Sequence, residues 1–335
     1  MKKLNILILA TGKPSTHLIK AIELRGHTWV WYTPEQLYLL ISDSVNGFDR
    51  IYNGSEDLAT PERLHANKFD AVITRLGGGL NFATVVLAHL TENLGIYCPQ
   101  TPDGILIASN KIRATQKFSV CGLKVPITVM AKKPFHPKFL VDKVGGLPAV
   151  AKTPHGSQGS GVGIMRDAEQ TNCMISMFHA SKVDLLFQSY IEGGKKDIRA
   201  IVVGDKVAVA MERTAKDTFK ANLSLGGSGR KIELSKEDQE ICVSAAKACN
   251  LEFAGIDIMK DQSGTTFLIE GNSNPGTLSI GITGINWFEH LIKHIEIKVG
   301  GKAGEAQKVN NTIINMFRTL SLSGIKLNEF FPNNL

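Results

Sequence analysis

Hydrophobic and polar residues alternate between strand and helix patterns over the first hundred positions. The unbroken apolar run Leu4–Ala10 predicts a buried strand of the parallel type. Apolar positions at helical spacing over Ser15–Arg25, ending at Gly26, predict a helix. β-Branched and aromatic residues predict strands at Thr28–Tyr32 and Phe69–Thr74. The alternation indicates a small N-terminal α/β domain over residues 1–98.

Pro99 and Pro102 mark the boundary to a second unit, predicted over residues 99–191. A glycine-rich segment, Gly156–Gly163, lies near its middle and is flanked by apolar strand patterns. The predicted elements of this unit are a helix over Asp103–Val120, strands at Leu147–Lys152 and Val162–Met165, a helix over Ala168–Ala180 and a strand at Leu185–Tyr190.

A third unit is predicted over residues 192–298, and residues 299–335 have too weak a pattern to assign beyond a helical fragment near Asn311–Leu320. The segment Asp217–Gly229 lacks periodicity and is predicted to be a mobile loop. The elements of the third unit are a hairpin of Ile198–Val203 and Lys206–Glu212, a helix capped near Ser235, strands at Phe253–Met259 and Thr266–Gly271, and a helix over Asn286–Lys298.

Composition narrows the functional classes. The chain has 335 residues and a net charge of +7, with 38 Lys and Arg against 31 Asp and Glu. Because the lysines are spread along the chain, the charge favours an anionic ligand over nucleic acid. No apolar run reaches the roughly 20 residues that cross a bilayer, and the apolar N-terminus is predicted to be a strand rather than a signal peptide. Five scattered cysteines without a CxxC pair suggest the reducing cytoplasm.

The sharpest chemical signal is a pair of carboxylates on neighbouring strands. Alternation places Asp257 on one face of its strand, and Leu268, Glu270 and Asn272 are predicted to share a face of the next. A turn centred near residues 263–264 would put Asp257 opposite Glu270, with Cβ atoms roughly 5 Å apart. Such a pair requires either a proton or a cation between its members, and oxygen ligands favour Mg²⁺ or Mn²⁺. The alternative is two ordinary surface acids on a hairpin.

Phosphate-binding groups would accompany such a metal site. The segment Gly156–Gly163 follows Lys152 on a strand and lacks the P-loop pattern, so it is either a lid over phosphates or a structural turn. Lys111 taken alone is more typical of a solvated helix face than of a phosphate contact. Arg199 and Arg213 lie on strands that would face the same cleft. Asn222, beside Lys220, lies in the predicted loop, from which it could reach reacting groups or remain an ordinary loop residue.

Together these segments resemble the ATP-grasp superfamily and, within it, the RimK-type amino-acid ligases. The resemblance runs from about residue 100 to 298 and rests on seven segments, which are Leu147–Gly163, Phe187–Ile191, Lys196–Gly204, Val207–Ala215, Phe219–Gly227, Phe253–Met259 and Leu268–Gly276. It implies a mixed α/β and α+β architecture, the ATP-grasp fold, preceded by a Rossmann-like pre-ATP-grasp domain.

The resemblance also implies a role for each matching residue. Contacts to ATP fall to the two lysines, the glycine-rich segment, the hinge, the ribose-side carboxylate and the loop, which are Lys111, Lys152, Gly159, Ser189, Tyr190, Asp197, Lys220, Ala221 and Asn222. Two Mg²⁺ or Mn²⁺ ions would be held by Asp257, Glu270 and Asn272. Arg199 and Arg213 resemble the arginines that face the acceptor carboxylate and the acyl phosphate, and Asn222 would assist them.

The chemistry implied is ATP-dependent ligation of a carboxylate to an amine through an acyl phosphate. The favoured reaction adds glutamate, or another amino acid, to a protein, peptide or small-molecule carboxylate. The alternatives are a small-molecule ligase of the glutathione-synthetase or D-alanyl-D-alanine type, and a nucleotide-binding scaffold without turnover. No nucleic-acid or membrane partner is expected, and a homo-oligomer is left open.

Several residues depart from the family pattern, and on the acceptor side Ser224 and Leu225 stand where the family has His and Arg. Ser189 stands where the family commonly has Glu, and Lys220 and Ala221 stand where it has Arg and Ser. Ser273 and Asn274 replace Ala and Ser in the segment after Asn272. The departures therefore make the ligase class a firmer prediction than the identity of its acceptor.

Overall fold

The computed structural model describes residues 2–41, 50–65, 68–132, 136–156, 161–180, 184–193, 196–215 and 227–301. Four predicted site residues, Gly159, Lys220, Ala221 and Asn222, lie outside these ranges. So do residues 216–226 of the predicted loop and all of the fragment near Asn311–Leu320. Within the described residues, no helix is both long and apolar enough to span a membrane.

Fifteen strands are present in the described part of the chain. In chain order they are β1 Asn5–Ala10, β2 Thr28–Tyr32, β3 Leu37–Leu40, β4 Arg50–Asn53, β5 Glu62–Leu64, β6 Ala71–Arg75, β7 Thr128–Ala131, β8 Ala149–Lys152, β9 Val162–Met165, β10 Leu185–Ser189, β11 Lys196–Val203, β12 Lys206–Thr214, β13 Ser228–Ile232, β14 Phe253–Lys260 and β15 Thr266–Asn272.

The helices complete the description. They are α1 Thr16–Leu24, α2 Leu80–Ala88, α3 Pro102–Ser109, α4 Lys111–Val120, α5 Pro137–Lys143, α6 Ala168–Ala180, α7 Lys236–Ala248, α8 Leu278–Thr283 and α9 at 288–301. A 3-10 turn at Pro34–Gln36 precedes β3, and a π-helical turn at His89–Asn93 extends α2.

The N-terminal part contains the predicted parallel sheet. Its strand order is β2-β1-β6, and Tyr97 adds a parallel bridge to Ala71 at the β6 edge. Ser15 caps α1 by accepting from the Leu18 N–H, and Gly26 has a positive φ of 76° just after the helix. The small antiparallel sheet β3-β4-β5 was not predicted.

Two antiparallel sheets form the rest of the described chain. Their strand orders are β7-β10-β8-β9 and β13-β12-β11-β14-β15. One face of the five-stranded sheet packs on α4 and α7 through a core that includes Phe118, Cys242 and Ile256. The other face packs at one end on α9 through Phe253 and Trp287. The rest of that second face borders a cavity. The predicted division into three units stays a prediction.

The structure corrects three sequence-based expectations. The predicted single helix over Asp103–Val120 is two helices, because Asn110 leaves helical geometry and its side chain accepts from the N–H groups of Ile112 and Arg113. The predicted mobile loop ends earlier than expected, since β13 begins at Ser228. The third correction concerns the register of β15 and is described with the site.

Candidate active site

A cavity of about 840 Å³ lies between the four-stranded and five-stranded sheets. The break between α3 and α4 and the segment after β15 complete its walls. Every predicted site residue in the described part of the chain lines this cavity, namely Lys111, Lys152, Ser189, Tyr190, Asp197, Arg199, Arg213, Asp257, Glu270 and Asn272. Tertiary structure therefore brings together residues that are as many as 161 positions apart in sequence, from Lys111 to Asn272.

Strand pairing places alternating charges side by side on the cavity face of the five-stranded sheet. Arg213 on β12 lies opposite Asp197 on β11, and Arg199 on β11 lies opposite Asp257 on β14. Both pairs are bidentate ion pairs. Arg199 Nε and Nη2 lie 2.7 and 2.6 Å from the two carboxylate oxygens of Asp257. Arg213 Nε and Nη2 lie 2.6 and 2.7 Å from the two carboxylate oxygens of Asp197. Arg213 Nη2 also donates to Asp257 at 2.8 Å.

The predicted pairing of Asp257 with Glu270 is confirmed, but the route to it differs from the expectation. The hairpin pairs Lys260 with Thr266, so its centre is at Ser263. A regular ladder from that turn would place Ile269 opposite Asp257. A β-bulge inserts Ile269 as an extra residue and moves Glu270 into that position. Leu268 precedes the bulge and lies in the core opposite Ile258, whereas Glu270 follows it and faces the cavity, so the prediction that Leu268 shares a face with Glu270 is wrong.

The two carboxylates of this pair have opposite electrostatic environments. Burial alone would raise the pKa of Asp257, but Arg199 and Arg213 outweigh burial and hold this pKa well below its ordinary value. Burial raises the pKa of Glu270, and the negative charge of Asp257 raises it further. Arginine pairing was absent from the sequence prediction, which considered only a proton or a metal cation between the two acids.

Two lysines face the same end of the cavity. The pKa of Lys152 is lowered to about 8, chiefly by burial; the charge of Glu270 opposes this shift and the charge of Lys111 adds to it. Lys111 occupies the first turn of α4, where its backbone N–H donates to the Pro154 carbonyl. Its Nζ donates to the Gly156 carbonyl at 2.8 Å, at the start of the glycine-rich segment. The break at Asn110 therefore directs a helix lysine into the cavity.

The end of β10 forms another part of the cavity wall. Ser189 exchanges hydrogen bonds with Ile127 through its backbone N–H and its hydroxyl, which fixes the chain where β10 ends. Met211, Met259 and Ile269 supply apolar walls. Gln188, which the sequence analysis did not single out, also lines the cavity, and its Oε1 is buried without a hydrogen-bond partner in the described structure.

A divalent cation fits the donor set at Asp257, Glu270 and Asn272. Carboxylate and amide oxygens are the ligands that Mg²⁺ prefers. The Asn272 Nδ2 atom is buried and has no hydrogen-bond partner in the described structure, and because an amide nitrogen only donates, the ligand atom of Asn272 would be its Oδ1. Within the described residues, no group of three or more His, Cys, Asp and Glu side chains could hold a metal ion, and the candidate set combines two carboxylates with an amide.

Sequence reasoning also missed residues behind the metal-site candidate. Gln100 and Arg75 donate hydrogen bonds to backbone carbonyls of the segment that follows Asn272. In the sequence, Gln100 stands between two prolines and Arg75 stands at the end of a strand, and neither position indicates a functional site. Asn274, noted only as a departure from the family pattern, lines the cavity.

Comparisons with known proteins agree with this geometry. The RimK-like ATP-grasp domain matches residues 108–295. A probable alpha-L-glutamate ligase of Xanthomonas euvesicatoria pv. vesicatoria is 33% identical over 291 residues, covering 86% of this chain and 94% of the relative.

Solved structures share the fold at lower identity. The ATP-grasp ligase PsnB, solved with a variant of its minimal precursor, Mg and ADP, has a TM-score of 0.67 and 16% identity over 89% of this chain and 99% of its own. The macrocyclase MdnC of Microcystis aeruginosa, bound to its precursor peptide MdnA, has a TM-score of 0.63 and 14% identity over 89% of this chain and 100% of its own.

Proposed function

The chain belongs to the RimK-like ATP-grasp family and is an ATP-dependent ligase, and we propose that it joins an amino acid, glutamate, to a carboxylate of a protein or peptide. One observation carries the proposal. A single cavity contains two lysines for phosphate, a pair of acids for a divalent ion and two arginines for an anionic substrate. The name of the Xanthomonas relative supports glutamate as the added amino acid.

The proposed reaction begins with nucleotide binding between the sheets. The adenine would lie near Ser189 and Tyr190, and Asp197 would lie near the ribose. Lys111 and Lys152 would neutralise the phosphates, because a lysine near a phosphate contributes up to about 4 kcal/mol of raw attraction at an effective dielectric near 20. Asp257, Glu270 and Asn272 would hold two Mg²⁺ or Mn²⁺ ions, which supply charge neutralisation of the phosphates when bound.

The proposed chemistry then needs positioning rather than a protein nucleophile. The acceptor carboxylate attacks the terminal phosphorus of ATP, ADP leaves, and an acyl phosphate results. The amine of the incoming amino acid attacks the acyl carbon, loses a proton and displaces phosphate to give the amide. Arg199 and Arg213 would orient the acceptor carboxylate and stabilise charge on the acyl phosphate. Gly159, Lys220, Ala221 and Asn222 belong to the same proposal from the sequence.

A peptide or protein acceptor is favoured over a small molecule for a structural reason. PsnB and MdnC, which share this fold, were each solved with a precursor or precursor peptide. The cavity here is open to solvent near α2 and α8, where Asn81 and Leu278 are exposed. An open end beside the reactive groups can admit the end of a longer chain.

The test is a phosphate-release assay in which the purified protein, ATP and Mg²⁺ are combined with single amino acids, with and without candidate peptides. We expect release that requires both glutamate and a peptide, and a mass increase of one glutamyl residue on the peptide. Phosphate release with free amino acids alone would mean that the acceptor is a small molecule and not a peptide. No ADP formation with any acceptor panel, despite measurable ATP binding, would refute ligase turnover.

A further inference from the structure

The segment that follows β15 crosses the carboxyl end of strand β6 in the N-terminal sheet. This segment, Ser273–Gly276, begins directly after Asn272, the proposed metal ligand. Two consecutive residues of β6 point to opposite faces of the sheet: Arg75 bonds directly to this segment, and Thr74 bonds to Gln100, which bonds to the segment in turn. The N-terminal sheet thus reaches the metal-site candidate from behind.

Gln100 forms the first connection, and both N–H groups and the oxygen of its side-chain amide take part in hydrogen bonds. Its Nε2 donates to the Phe253 carbonyl at 2.9 Å and to the Ser273 carbonyl. Its Oε1 accepts from the Thr74 hydroxyl. Phe253 begins β14 and Ser273 follows β15, so one buried amide joins the open ends of the two strands that carry Asp257, Glu270 and Asn272.

Arg75 forms the second connection, two residues further along the segment. Its Nη2 donates to the Pro275 carbonyl at 2.8 Å, and its guanidinium lies 6.0 Å from the ring centre of Trp287 and 5.5 Å from that of Phe288. Within the described residues no salt bridge involves Arg75, and its Nη1 is buried without a hydrogen-bond partner. Burial lowers the pKa of Arg75 to about 10.

A largely buried guanidinium without a carboxylate partner lowers the stability of the fold, because no opposite charge compensates its desolvation. An apolar side chain of similar length would fill the same place against Trp287 and Phe288. What such a side chain could not provide is the hydrogen bond to Pro275. Arg75 occupies this place although its desolvation costs stability, which indicates that its role is to fix the position of this segment.

We propose that Gln100 and Arg75 are positioning residues that hold Ser273 and Pro275 so that the Asn272 side chain is preorganised to bind a divalent ion. The inference rests on the proposed function, since it assumes that Asn272 is a ligand. Partners that orient a metal ligand commonly contribute about 10- to 100-fold to metal affinity. Neither residue lines the cavity, so neither is expected to contact nucleotide or acceptor.

The experiment measures Mn²⁺ affinity by electron paramagnetic resonance in the presence of a non-hydrolysable ATP analogue. Gln100→Leu removes both donors, and Arg75→Met keeps the apolar stem while removing the donor to Pro275. We expect each variant to raise the Mn²⁺ dissociation constant about 10- to 100-fold, with nucleotide affinity measured without metal unchanged. Arg75→Met should also unfold at a temperature no lower than the unsubstituted protein, which separates positioning from stability.

The matched control is Thr101→Ala, one residue from Gln100. Thr101 caps α3 at the Gly104 N–H and donates to the Asn250 carbonyl, so its loss should lower the unfolding temperature without changing Mn²⁺ affinity. Unchanged Mn²⁺ affinity in Arg75→Met and in folded Gln100→Leu would overturn the inference while leaving the ligase proposal intact. Failure of the unsubstituted protein to bind Mn²⁺ with the nucleotide analogue would overturn the metal site and this inference together.

Discussion

Neutralising Asp257 should lower the stability of the fold, whereas neutralising its pairing partner Glu270 should not, although both changes should abolish turnover. Asp257→Asn keeps the shape of the side chain but leaves Arg199 and Arg213 with Asp197 as their remaining carboxylate partner in the described network. Because these pairs are buried, loss of one partner should cost about 3–5 kcal/mol of unfolding free energy. A typical protein has about 5–15 kcal/mol in total, so the loss is large.

Glu270→Gln should leave the ligand-free protein at least as stable as the original. Burial and the charge of Asp257 raise the pKa of Glu270, so its ionised form is disfavoured by folding. The stability that accompanies a raised carboxyl pKa is present at low pH and is lost as pH rises through the folded value. A neutral amide avoids that loss at neutral pH while removing an oxygen ligand of the proposed ions.

Urea unfolding of the two variants and the unsubstituted protein, read by circular dichroism from pH 3 to pH 8, tests this reasoning. Arginine pairing lowers the pKa of Asp257, so its contribution is present above the ordinary Asp value of about 3.9 and fades as pH falls towards the folded value. The deficit of Asp257→Asn should therefore narrow at the acid end. Equal midpoints for Asp257→Asn and the unsubstituted protein, or a larger deficit for Glu270→Gln, would refute the charge assignment.

Three further changes test separate parts of the molecule. Lys152→Ala should weaken metal-free ATP binding in calorimetry and abolish the decline expected as pH rises through about 8, where Lys152 loses its charge. Glu296→Gln removes the partner of Arg25 and His27, and should lower the unfolding free energy by about 1–3 kcal/mol at neutral pH. That deficit should shrink below the ordinary Glu pKa of about 4.3, since Arg25 lowers the pKa of Glu296. Gly104→Ala would place a methyl 2.5 Å from the Cys249 carbonyl oxygen and 2.7 Å from that of Asn250, so denaturation should show a loss of about 1–3 kcal/mol.

The local sequence pattern predicted the bounds of an element correctly wherever the residues of that element set those bounds. The bounds of β9 and α6 match the prediction, because Val162–Met165 is a short apolar run and helical spacing begins at Ala168. Pattern failed at Asn110, where side-chain capping interrupts an otherwise continuous helical spacing. It also failed for β3, β4 and β5, which pair with one another without a strong alternation of their own.

The candidate site was likewise predicted in part from the sequence pattern and decided in part by tertiary packing. Strand alternation, together with a turn assumed near residues 263–264, predicted that Asp257 pairs with Glu270, and alternation predicted that the strands of Arg199 and Arg213 face one cleft. Alternation did not predict that the bulge at Ile269 supplies this register, because the centre of the turn and the packing of Leu268 jointly decide it.

What the sequence determined by itself was the type of each element and the kind of chemistry its polar residues can perform, because periodicity and residue type are local properties. Only the tertiary structure decided that Arg199 neutralises Asp257, 58 positions away, and that Gln100 bonds to Ser273, 173 positions away. Such contacts depend on which strands become neighbours and on how buried charges and amides are satisfied, and burial is a property of the whole fold.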